Sequence, residues 1–172
     1  MNPRTMKYGN LQMTLPEGWS DGTQILATGP SDQGFRTTLA VLAEPAKPRE
    51  TVAEYAARVL GMLSKATEQF ELVSERPATY GSISGFVREY HHTARGVRLA
   101  QIQFYVLRDG QVYTFTYTQR AERIHLSRHT AEKLFASVNL TPASAPGAAG
   151  SGPAMRARAR YVEPRFRRFI AA

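Results

Sequence analysis

The chain has 172 residues, 42% of them hydrophobic, which suits one domain around a single core and leaves little room for two. It has no cysteine, so disulfide frameworks, thiolate zinc sites and thiol nucleophiles are excluded. Its formal charge of +8 is unevenly placed: six of the 22 basic residues and one of the 14 acidic ones follow Gly152, leaving that tail at +5 and the body, 16 basic against 13 acidic, at +3.

The opening segment MNPRTMKYGNLQMTLPEGW carries no apolar run of about 7 to 15 residues of the kind a secretory signal needs, and no segment reaches the ~20 apolar residues of a membrane span. The expected location is the cytoplasm. Strand-like runs at Leu11–Leu15, Thr23–Thr28 and Phe35–Ala43 are separated by turn signals at Pro16-Glu17-Gly18 and from Gly29-Pro30 to Gly34, which predicts an antiparallel meander. Thr51-Val52-Ala53-Glu54 then forms a capping box, and Val52, Tyr55, Ala56, Val59, Leu60, Leu63 and Ala66 recur at helical spacing on one face.

Strands return at about Glu71–Arg76, Gly85–His92, Val97–Leu107 and Gln111–Thr118. A last helix over about Glu122–Val138 turns Ile124, Ala131, Leu134, Phe135 and Val138 inward. Thr141 to Pro153, TPASAPGAAGSGP, has no large side chain to bury and reads as a flexible linker. The expected division is a folded domain over 1–140, a linker over 141–153 and an arginine-rich tail over 154–172.

Asp109-Gly110 between two strand runs is the strongest local signal, because a two-residue type I′ turn needs positive φ at both central positions. The register that follows sets Val106 opposite Tyr113, Phe104 opposite Phe115 and Ile102 opposite Tyr117, one apolar side that belongs to the core. The other side sets Gln101, Gln103, Tyr105 and Leu107 against Val112, Thr114, Thr116 and Thr118. That mixture of apolar and hydrogen-bonding groups is a candidate binding surface, the plainer alternative being a solvated β face rich in Thr for its propensity.

Signatures of catalysis are missing from the sequence. His125 and His129 stand four apart on the last helix without a third ligand or a His-Glu-x-x-His pattern, and read as surface residues. His91 and His92 are strand neighbours and point to opposite faces. Gly147-Ala-Ala-Gly-Ser-Gly152 has no following Lys-Ser/Thr, and no Gly-x-Ser-x-Gly elbow occurs. Neither an enzyme nor a cofactor is expected. The tail interleaves Arg with aromatics, a composition suited to nucleic acid, an acidic protein or a membrane surface, and equally to an unstructured solubilising end broken at Pro164. A nucleic-acid partner is not the expected one.

The stretch Leu15-Pro16-Glu17-Gly18-Trp19-Ser20-Asp21-Gly22-Thr23, the helical Glu54-Tyr55-Ala56-Ala57-Arg58 and the strand pair from Arg98 to Tyr117 together resemble the DcrB-like family, over about Met6 to Leu140. The resemblance implies an α+β fold shared with Mog-like and PsbP-like proteins: a curved antiparallel sheet with two main helices packed on it. Lacking a lipoprotein signal, the chain looks most similar to the Eag chaperones of type VI secretion. That branch implies a cytosolic homodimer that shields the amino-terminal apolar, transmembrane segments of Rhs-type effectors before export. On this reading Gln101 and Gln103 supply hydrogen bonds, with Tyr105 beside them, and Leu39 and Val41, or Ile25, supply apolar walls, depending on which face of the early strands is concave. A Mog-like module that docks on a folded protein is the alternative.

Overall fold

The computed structural model describes residues 4–8, 11–16 and 23–140. The turn expected at Pro16–Gly18, the linker and the arginine-rich tail lie outside the described residues. Strands β1 (Arg4–Tyr8) and β2 (Leu11–Leu15) pair as a two-stranded antiparallel ribbon. The main body is an antiparallel sheet of β3 (Gln24–Asp32), β4 (Phe35–Pro45), β5 (Glu68–Tyr80), β6 (Ile83–Ala94), β7 (Val97–Arg108) and β8 (Gln111–Arg120), in spatial order β3-β4-β8-β7-β6-β5. Helix α1 (Val52–Ala66) joins β4 to β5, and α2 (Ile124–Ala136) follows β8 through a 3-10 turn at Ala121–Arg123. This is the expected α+β fold class.

Each helix takes one face of the sheet. Tyr55, Ala56, Val59 and Leu63 of α1 cluster with Tyr90, Tyr105 and Val112, whereas Ile124, Ala131 and Phe135 of α2 cluster with Ala100, Ile102, Phe104, Val106, Phe115 and Tyr117. The periodicities of the two helices explain this placement, since each carries one apolar stripe that must be covered. Thr51 caps α1 as expected: its hydroxyl accepts from the Glu54 amide and the Glu54 carboxylate accepts from the Thr51 amide.

Asp109 and Gly110 have φ of 51° and 73°, and the predicted pairs Val106–Tyr113, Phe104–Phe115 and Ile102–Tyr117 all form. Phe104 anchors the α2 side, with ring centroids 5.0 Å from Tyr80 and 5.5 Å from Phe135. Gly85 lets β6 pass this cluster: a Cβ there would overlap the Tyr105 carbonyl oxygen and come 2.8 Å from Phe104 Cε2.

Two boundaries differ from expectation. Gly29-Pro30 does not end the first long strand; β3 runs on through a bulge between Thr28 and Ser31 and turns at Gln33-Gly34, whose φ values are 50° and 79°. Similarly, β5 continues through Pro77 to Tyr80. Both prolines lie on edge strands, where a missing amide donor leaves no ladder bond unmade.

Candidate functional site: the helix α1 face of the sheet

Cross-strand partners share a face, so the registers define rows that run from one edge of the sheet to the other. On the α1 side one row is Leu26, Ala40, Thr116, Gln103, Arg88 and Glu75, and the next is Thr28, Thr38, Thr118, Gln101, Tyr90 and Leu72. On the α2 side the corresponding rows hold Ile25, Val41 and Phe115, and Ala27, Leu39 and Tyr117. Of the sequence-predicted client residues, Gln101, Gln103 and Tyr105 therefore stand on one face and Leu39, Val41 and Ile25 on the other. The apolar residues that share the glutamine face lie one position along, at Leu26, Ala40 and Leu42.

The glutamines are not solvent-facing. Gln101, Gln103 and Tyr105 are 4%, 1% and 0% exposed, and their polar atoms bond one another across the strands. Tyr90 Oη donates to Gln101 Oε1, and Gln101 Nε2 donates to Thr118 Oγ1 at 3.0 Å. In the adjacent row Tyr105 Oη donates to Gln103 Oε1, and Gln103 Nε2 donates to Thr116 Oγ1 at 3.3 Å. The same Tyr-Gln-Thr relay thus occurs twice. Burial pushes the Tyr90 and Tyr105 phenols well above their ordinary pKa, which keeps both hydroxyls available as donors.

Arg88 is the largest fully buried side chain, and it ties the relay to α1. Its Nε and Nη2 donate to Glu75 Oε2 at 3.0 and 2.9 Å, Nη1 donates to Tyr105 Oη at 3.2 Å, and Nη2 also donates to the Ala56 carbonyl at 2.6 Å. The guanidinium carbon lies 5.5 Å from the Tyr105 ring centroid. At the other flank of the helix, Tyr55 Oη donates to Glu44 Oε2 at 2.6 Å. This sheet face therefore already holds one amphipathic helix, by apolar contact together with a side-chain bond to a helix carbonyl.

Helix α1 packs chiefly over β5, β6 and β7. Across the remaining half of that face exposure rises outward: Thr114, Thr116 and Thr118 of β8 are buried, Thr38, Ala40 and Leu42 of β4 half-buried, and Gln24, Leu26 and Thr28 of β3 exposed. His92 closes the end of the face beside Leu99; it is 1% exposed, and burial pushes its pKa down. On the α2 side Glu89, almost buried, holds Arg128 by two bonds of 2.6 and 2.8 Å, and Arg123 holds Asp32 by two of 3.0 Å.

His125 and His129 are both exposed, and no group of metal-ligating side chains converges among the described residues. The clefts beside Glu89 and beside Leu140 have volumes of about 30 and 180 Å³. Both fall below the ~300 Å³ at which small-molecule pockets usually begin. No described helix is long and apolar enough to cross a membrane. Sequence reasoning missed Arg88 and Glu75, whose pairing depends on a bulge in β5 between Leu72 and Ser74.

The family model described as DcrB matches residues 10–137 of the chain. Among solved structures, a protein of unknown function from Pseudomonas aeruginosa, PA94, titled a putative regulator, is 15% identical with a TM-score of 0.68 over 83% of this chain and 100% of its own. LpqN of Mycobacterium tuberculosis, titled as involved in cell envelope biogenesis, is 13% identical with a TM-score of 0.47 over 71% of this chain and 85% of its own. The PsbP of Synechocystis sp. PCC 6803 is 14% identical with a TM-score of 0.43, covering 70% and 81%. None of the curated proteins matches the sequence.

Proposed function

Since the chain belongs to the DcrB family, we propose that it is a cytosolic, non-enzymatic chaperone or adaptor that holds apolar helices of a type VI secretion (Rhs-type) effector before export. The observation that carries this reading is the α1 face, a sheet surface that already holds an amphipathic helix through apolar contacts and the Arg88 bond to the Ala56 carbonyl. Beside α1, past the buried threonines of β8, the face opens onto Thr, Ala and Leu side chains of β4 and β3. A client helix laid there meets small and apolar groups for close approach and hydroxyls for its own polar side chains, as helices meet in membranes.

Burial of Gln101 and Gln103 gives them a supporting part on this reading. Their amides hold the Thr116 and Thr118 hydroxyls at the boundary between α1 and the open half of the face. Client contact then falls on Thr38, Ala40, Leu42 and Leu26.

Co-expression with a ~20-residue apolar segment from the amino terminus of such an effector tests the proposal. A soluble complex is expected, and Leu42→Lys, which sets a charge in the middle of the open half, reduces its recovery at least tenfold while the chain itself stays folded. A segment equally soluble and stable without this chain overturns the proposal.

A further inference from the structure

Between Met155 and Ile170 stand Arg156, Arg158, Arg160, Arg165, Arg167 and Arg168, with Glu163 the one acidic residue among them. The folded body has few partners to offer these arginines. Three of the 14 acidic residues, Glu17, Asp21 and Glu163, lie outside the described residues. Of the other eleven, seven have a carboxylate oxygen 2.5 to 3.8 Å from an arginine nitrogen of the body. Glu44 accepts from Tyr55 and Glu54 closes the cap of α1, which leaves Glu68 on edge strand β5 and Glu132 on α2. Two carboxylates do not neutralise a stretch of net +5, so its counter-charge comes from outside the chain.

The residues between the arginines narrow the chemistry of that partner. Tyr161, Val162, Phe166, Phe169 and Ile170 are large and apolar. A guanidinium fork grips a phosphate bidentately, while its stem and the neighbouring apolar groups favour an apolar layer directly behind that phosphate. An anionic lipid leaflet presents both layers as one continuous surface. Single-stranded nucleic acid offers phosphate and flat bases, which suit the three rings but give Val162 and Ile170 no partner, and its binders add a positively charged groove. The described clefts are not such a groove. The one beside Glu89 sets Arg76 and Arg128 against Glu89 and Glu132, and the one beside Leu140 has Arg108 as its single charged residue. Charge recurs at least every third residue from Arg156 to Arg168, so this stretch suits the surface of a bilayer and not its ~20-residue apolar interior.

We propose that residues 155–170 bind an anionic lipid leaflet, with the arginines at the phosphates and Tyr161, Val162, Phe166, Phe169 and Ile170 among the headgroups and the upper acyl chains. Residues 141–153 allow a reach of at most ~45 Å by covalent geometry, so lipid held by the tail does not oblige either sheet face to meet the bilayer. Lipid binding by the tail and helix binding on the α1 face are therefore separate properties, and neither depends on the other.

Flotation of the full chain with vesicles tests this. Phosphatidylcholine vesicles containing about a third phosphatidylglycerol should carry the chain up the gradient, pure phosphatidylcholine vesicles should not, and raising salt from about 0.1 M to about 0.5 M should release most of it. Arg167→Ala together with Arg168→Ala should lower the partition coefficient about 25-fold, near fivefold for each arginine. Phe166→Ala together with Phe169→Ala, unchanged in charge, should lower it at least ~tenfold. No flotation with the anionic vesicles overturns the inference, as does equal flotation with the neutral ones. A phenylalanine variant that floats like the parent reads charge alone and overturns it too. An oligothymidylate that strips the chain from the anionic vesicles at equal phosphate concentration would assign the tail to nucleic acid and likewise overturn lipid binding.

Discussion

Replacing Arg88 and Glu75 singly and together measures how the polar relay is held in place. Arg88 is fully buried whereas the Glu75 side chain is 34% exposed, so the two single replacements leave unequal remnants. Arg88→Met leaves a carboxylate that can turn to water, and it should cost about 3 kcal/mol, the low end for breaking a buried pair. Glu75→Leu leaves a buried guanidinium with only Tyr105 and the Ala56 carbonyl for company, and it should cost about 4 to 5 kcal/mol. The double variant removes both charges and should cost no more than Arg88→Met alone, a coupling of at least ~4 kcal/mol. Urea titration followed by far-UV circular dichroism reads these values as midpoint shifts at constant slope, and the arginine variant should melt about 10 °C below the parent. Additive single effects within ~0.5 kcal/mol, or a glutamate variant milder than the arginine one, would refute the reasoning.

Three further outcomes are expected. Thr51→Ala removes the hydroxyl from the capping box and should cost about 1 kcal/mol by the same titration, with Thr51→Ser restoring most of it. Gly85→Ala forces β6 away from the Tyr105 carbonyl and the Phe104 ring and should cost roughly 3 kcal/mol, against ~1 for Gly34→Ala, where φ is positive but no atom lies within 4 Å. His92, with Arg98 and His91 adding to the effect of burial, binds a proton more weakly folded than unfolded. Its contribution is complete above the unfolded pKa of about 6.5 and is lost as pH falls from there toward the depressed folded value. His92→Phe should therefore flatten the fall in urea midpoint on going from neutral to mildly acid buffer; an unchanged slope would assign that fall to other groups.

Local chemistry made much of the fold legible. Asp109-Gly110 set a register that runs correctly from Ile102 to Tyr117, and the Thr51 capping box placed the start of α1 at the right residue. Period-two reading also separated Phe104 and Phe115 from Gln103 and Thr116. It could not say that a second helix lies over the Gln-Thr side, because a face of hydroxyls and amides looks the same whether it bonds to water or to itself. The link between Arg88 and Glu75 depends on a residue inserted in β5, and an inserted residue reverses the alternation by which faces are read. Which face of the early strands is concave, and so whether Leu39, Val41 and Ile25 stand with the glutamines, is not legible in the sequence, because the register between β4 and β8 comes from distant chain segments and a shift of one residue exchanges the faces.

The bulges and charges along β5 bear on how far association can go. A sheet with two receptive edges can add copies indefinitely in line, as fibres do, whereas one with a single receptive edge has a valence of one. With its two register shifts, Pro77 and the carboxylates of Glu68, Glu71 and Glu75, β5 offers an incoming strand an interrupted and charged ladder. The blunted edge thus removes the open-ended stacking that two unguarded apolar edges would otherwise invite.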